Sequence, residues 1–392
     1  MNIFKIKELQ KILNINIKNI NDKIIIRDRK IKFEEIIYGS IYKCINNLSY
    51  QDVASKINLN FIEQNINTTI SKTAFINKRN SIPNEYFLDI NNSFIDYIYK
   101  DNKNPRIFGV DGSFINLFKN FNKYEFSYAS SNENYCQGII SCLYDINNKI
   151  PVNYYLIKTR NEREAFRNQI KYLRNGDTVI FDRGYYSYDL VEKLEIIDVN
   201  YIFRLKSNKK EVQYMKNNNI VDHTFINKNI KNRIINYRVD NSEDEYYLLT
   251  NLTCSIDELK NLYWKRWQVE IHFKESKYNL SLKTINLKTE NSLLQEIYIH
   301  NLIFILYYYF KFDIDNPLLK SKYKINNKTG IKIFSENIIY LLIYNKITNK
   351  CFEKINRILN IIVMNIVYIQ INKKKYERKR LRPYAKWYFS KK

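Results

Sequence analysis

The sequence predicts an α/β protein built on a mixed sheet with flanking helices, preceded and followed by helical segments. Three observations carry this prediction. Short runs of β-branched and aromatic residues alternate with amphipathic stretches between residues 106 and 251. Their order is strand, strand, strand, helix, strand, helix, strand, which brings parallel and antiparallel neighbours into one layer. The chain has 392 residues, 45% of them hydrophobic, enough for two or three domains and a sizeable core.

Residues 1 to about 100 read as mostly helical. Ile36, Ile37, Ile41, Cys44, Ile45 and Leu48 recur at helical spacing. Ser49-Tyr-Gln-Asp52 has the form of a capping box, in which the hydroxyl and the acid each satisfy a free N–H of the first turn. A third helix opens near Ser71 and stops at Ser81-Ile-Pro83. Its Lys72, Lys78 and Arg79 would serve a helix-turn-helix-like DNA reader; a solvated helical bundle explains the same pattern.

Strands follow at Arg106–Asp111, Cys136–Tyr144 and Ile150–Ile157, the last two joined by an Asp-Ile-Asn-Asn turn. A helix over Asn161–Leu173, a buried-type strand over Thr178–Asp182, a helix over Ser187–Leu194 and a strand over Tyr201–Leu205 complete the run. Residues 207–245 are polar and rich in Lys and Asn, with one clear strand near Arg233–Val239, and read as a β-rich insertion. Tyr246–Asn251 returns to the core, and residues 255–278 form the strongest helix. Apolar helices are expected at about 292–311, 335–346 and 353–371, then a basic tail. The expected division is a helical N-terminal DNA-binding region over 1–100, a core over 101–291 and a helical C-terminal region over 292–392.

Composition bounds the function. The formal net charge is +24, from 64 Lys and Arg against 40 Asp and Glu. Such a charge calls for a polyanionic partner, and phosphate contacts by Lys and Arg release counterions from nucleic acid. The longest apolar runs, Leu302–Phe310 and Ile361–Ile371, are interrupted by Tyr, Asn or Gln and fall short of a membrane span. The N-terminus has no secretory pattern. Five scattered cysteines without a CxxC pair indicate neither a zinc site nor a disulfide framework, and fit a reducing cytoplasm. The abundance of Asn, Lys, Ile, Tyr and Phe reflects AT-rich codons. Lysine richness therefore weighs less than usual, and the seven glycines weigh more.

Three of those glycines flank two aspartates, in Gly109-Val-Asp111-Gly112 and Asp182-Arg183-Gly184. An Asp at the end of a buried strand, beside a residue that allows a sharp turn or close approach, projects its carboxylate from the sheet edge where α/β proteins bind ligands. A plain Asp-Gly turn is the alternative. The third acid is Glu270. Ser255-Ile-Asp-Glu258 is a capping box that can open its helix. Tyr263, Arg266, Glu270 and Lys277 follow at offsets of 0, 3, 7 and 14, within roughly 60° of one another on the helix. Leu262, Val269 and Phe273 form an apolar stripe beside them. Ordinary charge pairs on a solvated face account for any one of these pairs, but not for the whole pattern. Three carboxylates suit phosphodiester cleavage, where two Mg2+ ions about 3.5–4 Å apart clamp the attacking and leaving oxygens. The three histidines, His223, His272 and His300, are too few and too scattered to argue for zinc.

The spacing Tyr-x2-Arg-x3-Glu-x6-Lys resembles that of the insertion-sequence-four family of bacterial DDE transposases. Asp111 in VDGS and Asp182 in FDRGY resemble that family's first and second acids, and Gln295–His300 resembles part of its C-terminal region. The similarity spans roughly residues 70–390, and Ser113 stands where Thr is common. The resemblance implies a ribonuclease-H-like core with a β-rich insertion between the second acid and the glutamate. It implies Asp111, Asp182 and Glu270 as catalytic metal ligands for two Mg2+ ions, with Mn2+ able to substitute. It implies DNA contacts by Tyr263, Arg266 and Lys277, joined by Arg183 unless that residue forms a structural ion pair. The implied activity is cleavage at terminal inverted repeats and joining of the freed 3′-hydroxyls to target DNA, by a homodimer on double-stranded DNA at the prokaryotic nucleoid, away from membranes. A ribonuclease-H-like nuclease without strand transfer, and a domesticated DNA-binding protein, are the alternatives. Lys373–Lys375, Arg378, Lys379, Arg380 and Arg382, followed by Tyr384, Trp387 and Tyr388, suit phosphate and base contacts or a disordered cationic tail.

Overall fold

The computed structural model describes residues 2–24, 31–128, 135–159, 161–238, 245–279, 282, 287–312 and 323–368. Five helices come first: α1 (Ile3–Ile24), α2 (Phe33–Asn46), α3 (Tyr50–Glu63), α4 (Lys72–Asn80) and α5 (Glu85–Tyr99). The capping box forms as read: the Ser49 hydroxyl accepts the Asp52 N–H at 3.3 Å, and the Asp52 carboxylate accepts the Ser49 N–H at 3.1 Å. Ser71 caps α4 with its hydroxyl alone, which accepts the Ala74 N–H.

The central layer runs β1 (Ile107–Phe118), β2 (Tyr135–Asp145), β3 (Ile150–Ile157), α6 (Glu162–Gln169), β4 (Thr178–Phe181), α7 (Tyr188–Ile196), β5 (Asn200–Arg204), α8 (Lys210–Asn217), β6 (Asp222–Asn227), β7 (Ile230–Arg238) and β8 (Glu245–Thr250). These strands make one eight-stranded mixed sheet in the order β3-β2-β1-β4-β5-β8-β7-β6. Only β1–β4 and β4–β5 are parallel. The short β4 is apolar and buried along its length, as expected for a parallel strand covered on both faces. The polar insertion continues this sheet as its far edge. Its hairpin turns at Lys228 and Asn229, both at positive φ, the conformation that matches strand twist in two-residue loops.

The long helix expected over 255–278 is two helices, α9 (Ile256–Lys265) and α10 (Trp267–Asn279), which meet at Arg266. The Arg266 N–H donates to the carbonyl of Tyr263 at 3.1 Å, a tightened turn at the junction. Beyond them lie α11 (Glu290–Phe312), β9 (Tyr323–Ile325), α12 (Asn327–Ile333), α13 (Ile339–Tyr344), α14 (Asn349–Met364) and β10 (Ile366–Tyr368). The helix expected over 353–371 therefore ends at Met364: β-branched Ile366 and Val367, with Tyr368, pair with β9 instead. The basic tail, Lys373 to Tyr388, lies outside the described residues. Among the described residues no helix is long and apolar enough to cross a membrane.

The N-terminal helices are tied to α11 by buried charge. Arg79 donates to Glu296 at 2.7 Å and to Gln295 at 3.1 Å, and Lys43 donates to Glu296 at 3.0 Å. Gln295 in turn donates to the carbonyls of Arg79 and Ile82. This corrects the reading of Lys78 and Arg79 as cations on offer to DNA: they are 6% and 1% exposed. The Gln295–His300 segment carries that anchor.

Candidate active site

Strand register sets the first half of the site. Gly109 of β1 pairs with Ile180 of β4, and Phe181 of β4 pairs with Phe203 of β5. Continuing that register puts Asp111, Asp182 and Arg204 in a row across three adjacent strands, just past the end of β4. This is the carboxyl end of the parallel strands, where open α/β sheets place ligands. Asp111 is not at a turn, as its Asp-Gly context implied. β1 runs on through it to Phe118, held by antiparallel β2.

The α9–α10 junction brings in the rest. Val269 and the Arg266 backbone pack close against Gly109 of β1. Arg266 is 3% exposed and donates to Glu270 at 2.8 Å. Its charge also acts on Asp182 and Asp111, so one guanidinium serves all three acids. The Tyr263 hydroxyl donates to Asp182 at 3.4 Å, and Arg204, stacked on the Tyr246 ring at 4.0 Å, lies 3.8 Å from the same oxygen. Tyr263 is 1% exposed, so it and Arg266 line the interior of the site in this arrangement. Lys277 is two turns farther along α10, about 10 Å from Glu270 by helix rise, half-buried and engaged. Arg183 is exposed and lines an open groove of about 760 Å³ with Arg204, Lys206, Asn208 and Lys216.

The electrostatics show a site short of positive charge. Burial pushes the Asp111 carboxyl up to about 7; Arg266 opposes this, while Glu270 and Glu162 add to it. Hard carboxylate oxygens that strain against one another fit a divalent cation such as Mg2+. In the arrangement seen, no group of three His, Cys, Asp or Glu side chains among the described residues is gathered tightly enough to hold an ion. The acids are organised around Arg266 instead.

The Asp111 shift has a consequence for stability. Its folded value, about 7, lies above the ordinary 3.8. The stability contributed by the protonated form is complete below the unfolded value and is lost as pH rises through the folded one. Asp111→Asn is therefore expected to melt higher than the parent chain at pH 8 in EDTA, with the gap shrinking toward pH 4. Thermal melts across that range check this, and equal melting at pH 8 would contradict it.

Two residues of the site were not foreseen. Arg204 is legible only once the register of β4 and β5 is known. Glu162, in the first turn of α6, comes close enough to the aspartates to act on both, and the sequence gives only a charged helix start. His272, which the helix geometry turns away from Glu270, is 1% exposed, and burial drives its imidazole down to about 3.

The mixed sheet thus carries two aspartates at its switch edge, with a glutamate delivered by a following helix. The model of the transposase DDE domain family matches residues 102–306. The chain belongs to that family. A putative transposase for insertion sequence element IS4SA, from Synechocystis sp., is 32% identical over 133 residues, covering 32% of this chain and 38% of that relative's length. The resemblance to insertion-sequence-four transposases read from the Tyr-Arg-Glu-Lys spacing therefore holds. A piggyBac transposase solved in a synaptic complex with hairpin DNA has the same overall fold, with a TM-score of 0.51 at 12% identity over 91% of this chain and 85% of that one. The fold is ribonuclease-H-like.

Proposed function

We propose that this transposase binds the terminal inverted repeats of an insertion sequence, cuts DNA there by metal-dependent hydrolysis, and joins the freed 3′-hydroxyls to target DNA. The observation that carries this is the convergence of Asp111, Asp182 and Glu270 on one sheet edge around a buried guanidinium. Asp111, Asp182 and Glu270 would hold two Mg2+ ions, or Mn2+ in their place, which when bound supply a stronger nucleophile and a stabilised leaving oxygen. Tyr263 and Arg204 fix the Asp182 carboxylate. Arg266, freed from Glu270, offers a two-pronged fork to a phosphate; Lys277 offers a point charge. Arg183, with Lys206 and Lys216, suits the DNA backbone on the way to the acids. Hydrolysis and strand transfer are both in-line attacks at phosphorus, so one site serves both. Two ends must be cut together, which calls for a homodimer on the DNA, and the N-terminal helices over 1–100 are the region proposed to read the repeat. The reaction would take place at the prokaryotic nucleoid, in the cytoplasm.

The test incubates the full chain with Mg2+ and DNA carrying the flanking inverted repeats. Excised ends and joined products are expected. Nicks without joined products would favour a nuclease, and tight binding with no cutting would favour a protein that only binds DNA. Arg183 has its own prediction: Arg183→Ala should weaken duplex binding evenly across sequences and reduce the salt slope by about 1. Fluorescence anisotropy at several salt concentrations measures it, and an unchanged slope removes Arg183 from the interface.

A further inference from the structure

We infer that Glu162 is a fourth carboxylate of the metal site, and that Gly112 is a glycine in order to admit it. This rests on the metal-dependent reading above.

The glycines supply the first observation. Only Gly176 among the seven has a positive φ, so neither Gly112 nor Gly184 is needed for an unusual backbone. At Gly112 space decides instead. A Cβ on Gly112 would lie 2.3 Å from Glu162 Oε1 and 3.0 Å from its Cδ, so the Glu162 carboxylate would have to swing away. A Cβ on Gly184 would lie 3.7 Å from Glu162 Oε2, in ordinary contact with it. The two oxygens of one carboxylate thus face the glycines that follow the two aspartates. In a chain this poor in glycine, the first acid motif keeps one where Glu162 reaches.

The surroundings supply the second. The first turn of α6 is pinned to the Asp182 loop, because Arg163 donates to the carbonyl of Gly184 at 3.1 Å. Glu162 itself has no hydrogen bond or ion pair among the described residues. Its charge acts on Asp111 and Asp182, both negative. Beside it the Tyr185 hydroxyl, on a residue 1% exposed, is buried without a partner and lies within electrostatic reach of Glu162 and Asp111. A half-buried acid held between two other acids, with no cation of its own, costs stability unless something positive binds there. A hard divalent cation is the ligand that this oxygen set takes.

The experiment measures Mn2+ binding to the full chain without DNA, from the loss of the free-ion electron paramagnetic resonance signal. Glu162→Gln, Gly112→Ala, Glu270→Gln and Glu164→Gln are compared with the parent, and melting temperatures are taken in EDTA. Glu162→Gln is expected to weaken Mn2+ roughly tenfold to a hundredfold while melting no lower than the parent in EDTA. Gly112→Ala keeps every acid but crowds Glu162 out, and should weaken Mn2+ too. Glu164→Gln, on the exposed side of the same turn, should bind as the parent does. If Glu162→Gln binds Mn2+ normally while Glu270→Gln does not, Glu162 is no ligand and the inference falls, with the function proposed above intact. If Glu162→Gln melts several degrees lower in EDTA, its role is structural and the inference also falls. If Glu270→Gln binds Mn2+ like the parent, the metal-site reading itself fails.

Discussion

Glu270→Gln is expected to lower the rate of DNA cleavage by about 10³-fold or more while leaving binding of inverted-repeat DNA within a few-fold. The magnitude is that of removing one aimed electrostatic group from a water-poor site, or larger. Gln keeps the size of Glu and can still accept from Arg266, so the α9–α10 junction should hold. Asp111 and Asp182 also remain within reach of that guanidinium, so the buried cation is not orphaned. The loss then falls on chemistry. Single-turnover cleavage and anisotropy on one preparation separate the two, and a variant that cuts within tenfold of the parent would remove Glu270 from the reaction.

Glu296→Ala is expected to have the largest effect on stability. Glu296 is 4% exposed and takes both Arg79, itself 1% exposed, and Lys43. Removing one member of a buried set leaves the others charged and unpaired, which costs about 3–5 kcal/mol. In a chain of this size that lowers the melting temperature by about 4–6 °C. Burial alone would raise the Glu296 carboxyl, but Lys43, Arg79 and His300 outweigh it and hold it well below the usual carboxylate range. The stability it contributes is present above its ordinary value of 4.5 and is lost as pH falls below that. The parent should therefore lose melting temperature on acidification below about pH 4.5, and Glu296→Ala should lack that part of the loss. Melting curves against pH decide it; a drop under 2 °C at pH 7.5 would mean that Arg79 and Lys43 find other partners.

The sheet was legible because its strands are apolar runs bounded by polar turns, and hydrophobic period is a local property. Asp111, Asp182 and Glu270 were legible because each sits in a short pattern of fixed spacing. What escaped depends on tertiary partners. The break at Arg266 cannot be read from propensity, since Tyr263 to Glu270 has neither Gly nor Pro. It follows from seating Arg266 among acids contributed by strands 155 and 84 residues upstream. The end of α14 escaped because Ile366–Tyr368 has helical-period apolar residues that pair as a strand only once β9 is beside them. Lys78 and Arg79 looked like a basic surface because Glu296, which neutralises Arg79, is 217 residues away. Glu162 escaped because its meaning lies in Gly112 of β1 and in the Gly184 loop after β4.

A single metal-dependent site predicts that all three acids fail together and that the metal is required. The most direct measurement is single-turnover cleavage of end-labelled inverted-repeat DNA by the parent chain, Asp111→Asn, Asp182→Asn and Glu270→Gln, each with Mg2+, with Mn2+ and with EDTA. Cutting by the parent alone, and only with a divalent ion, is the predicted result. Cutting by the parent in EDTA, or by any of the three variants at the parent's rate, would contradict it.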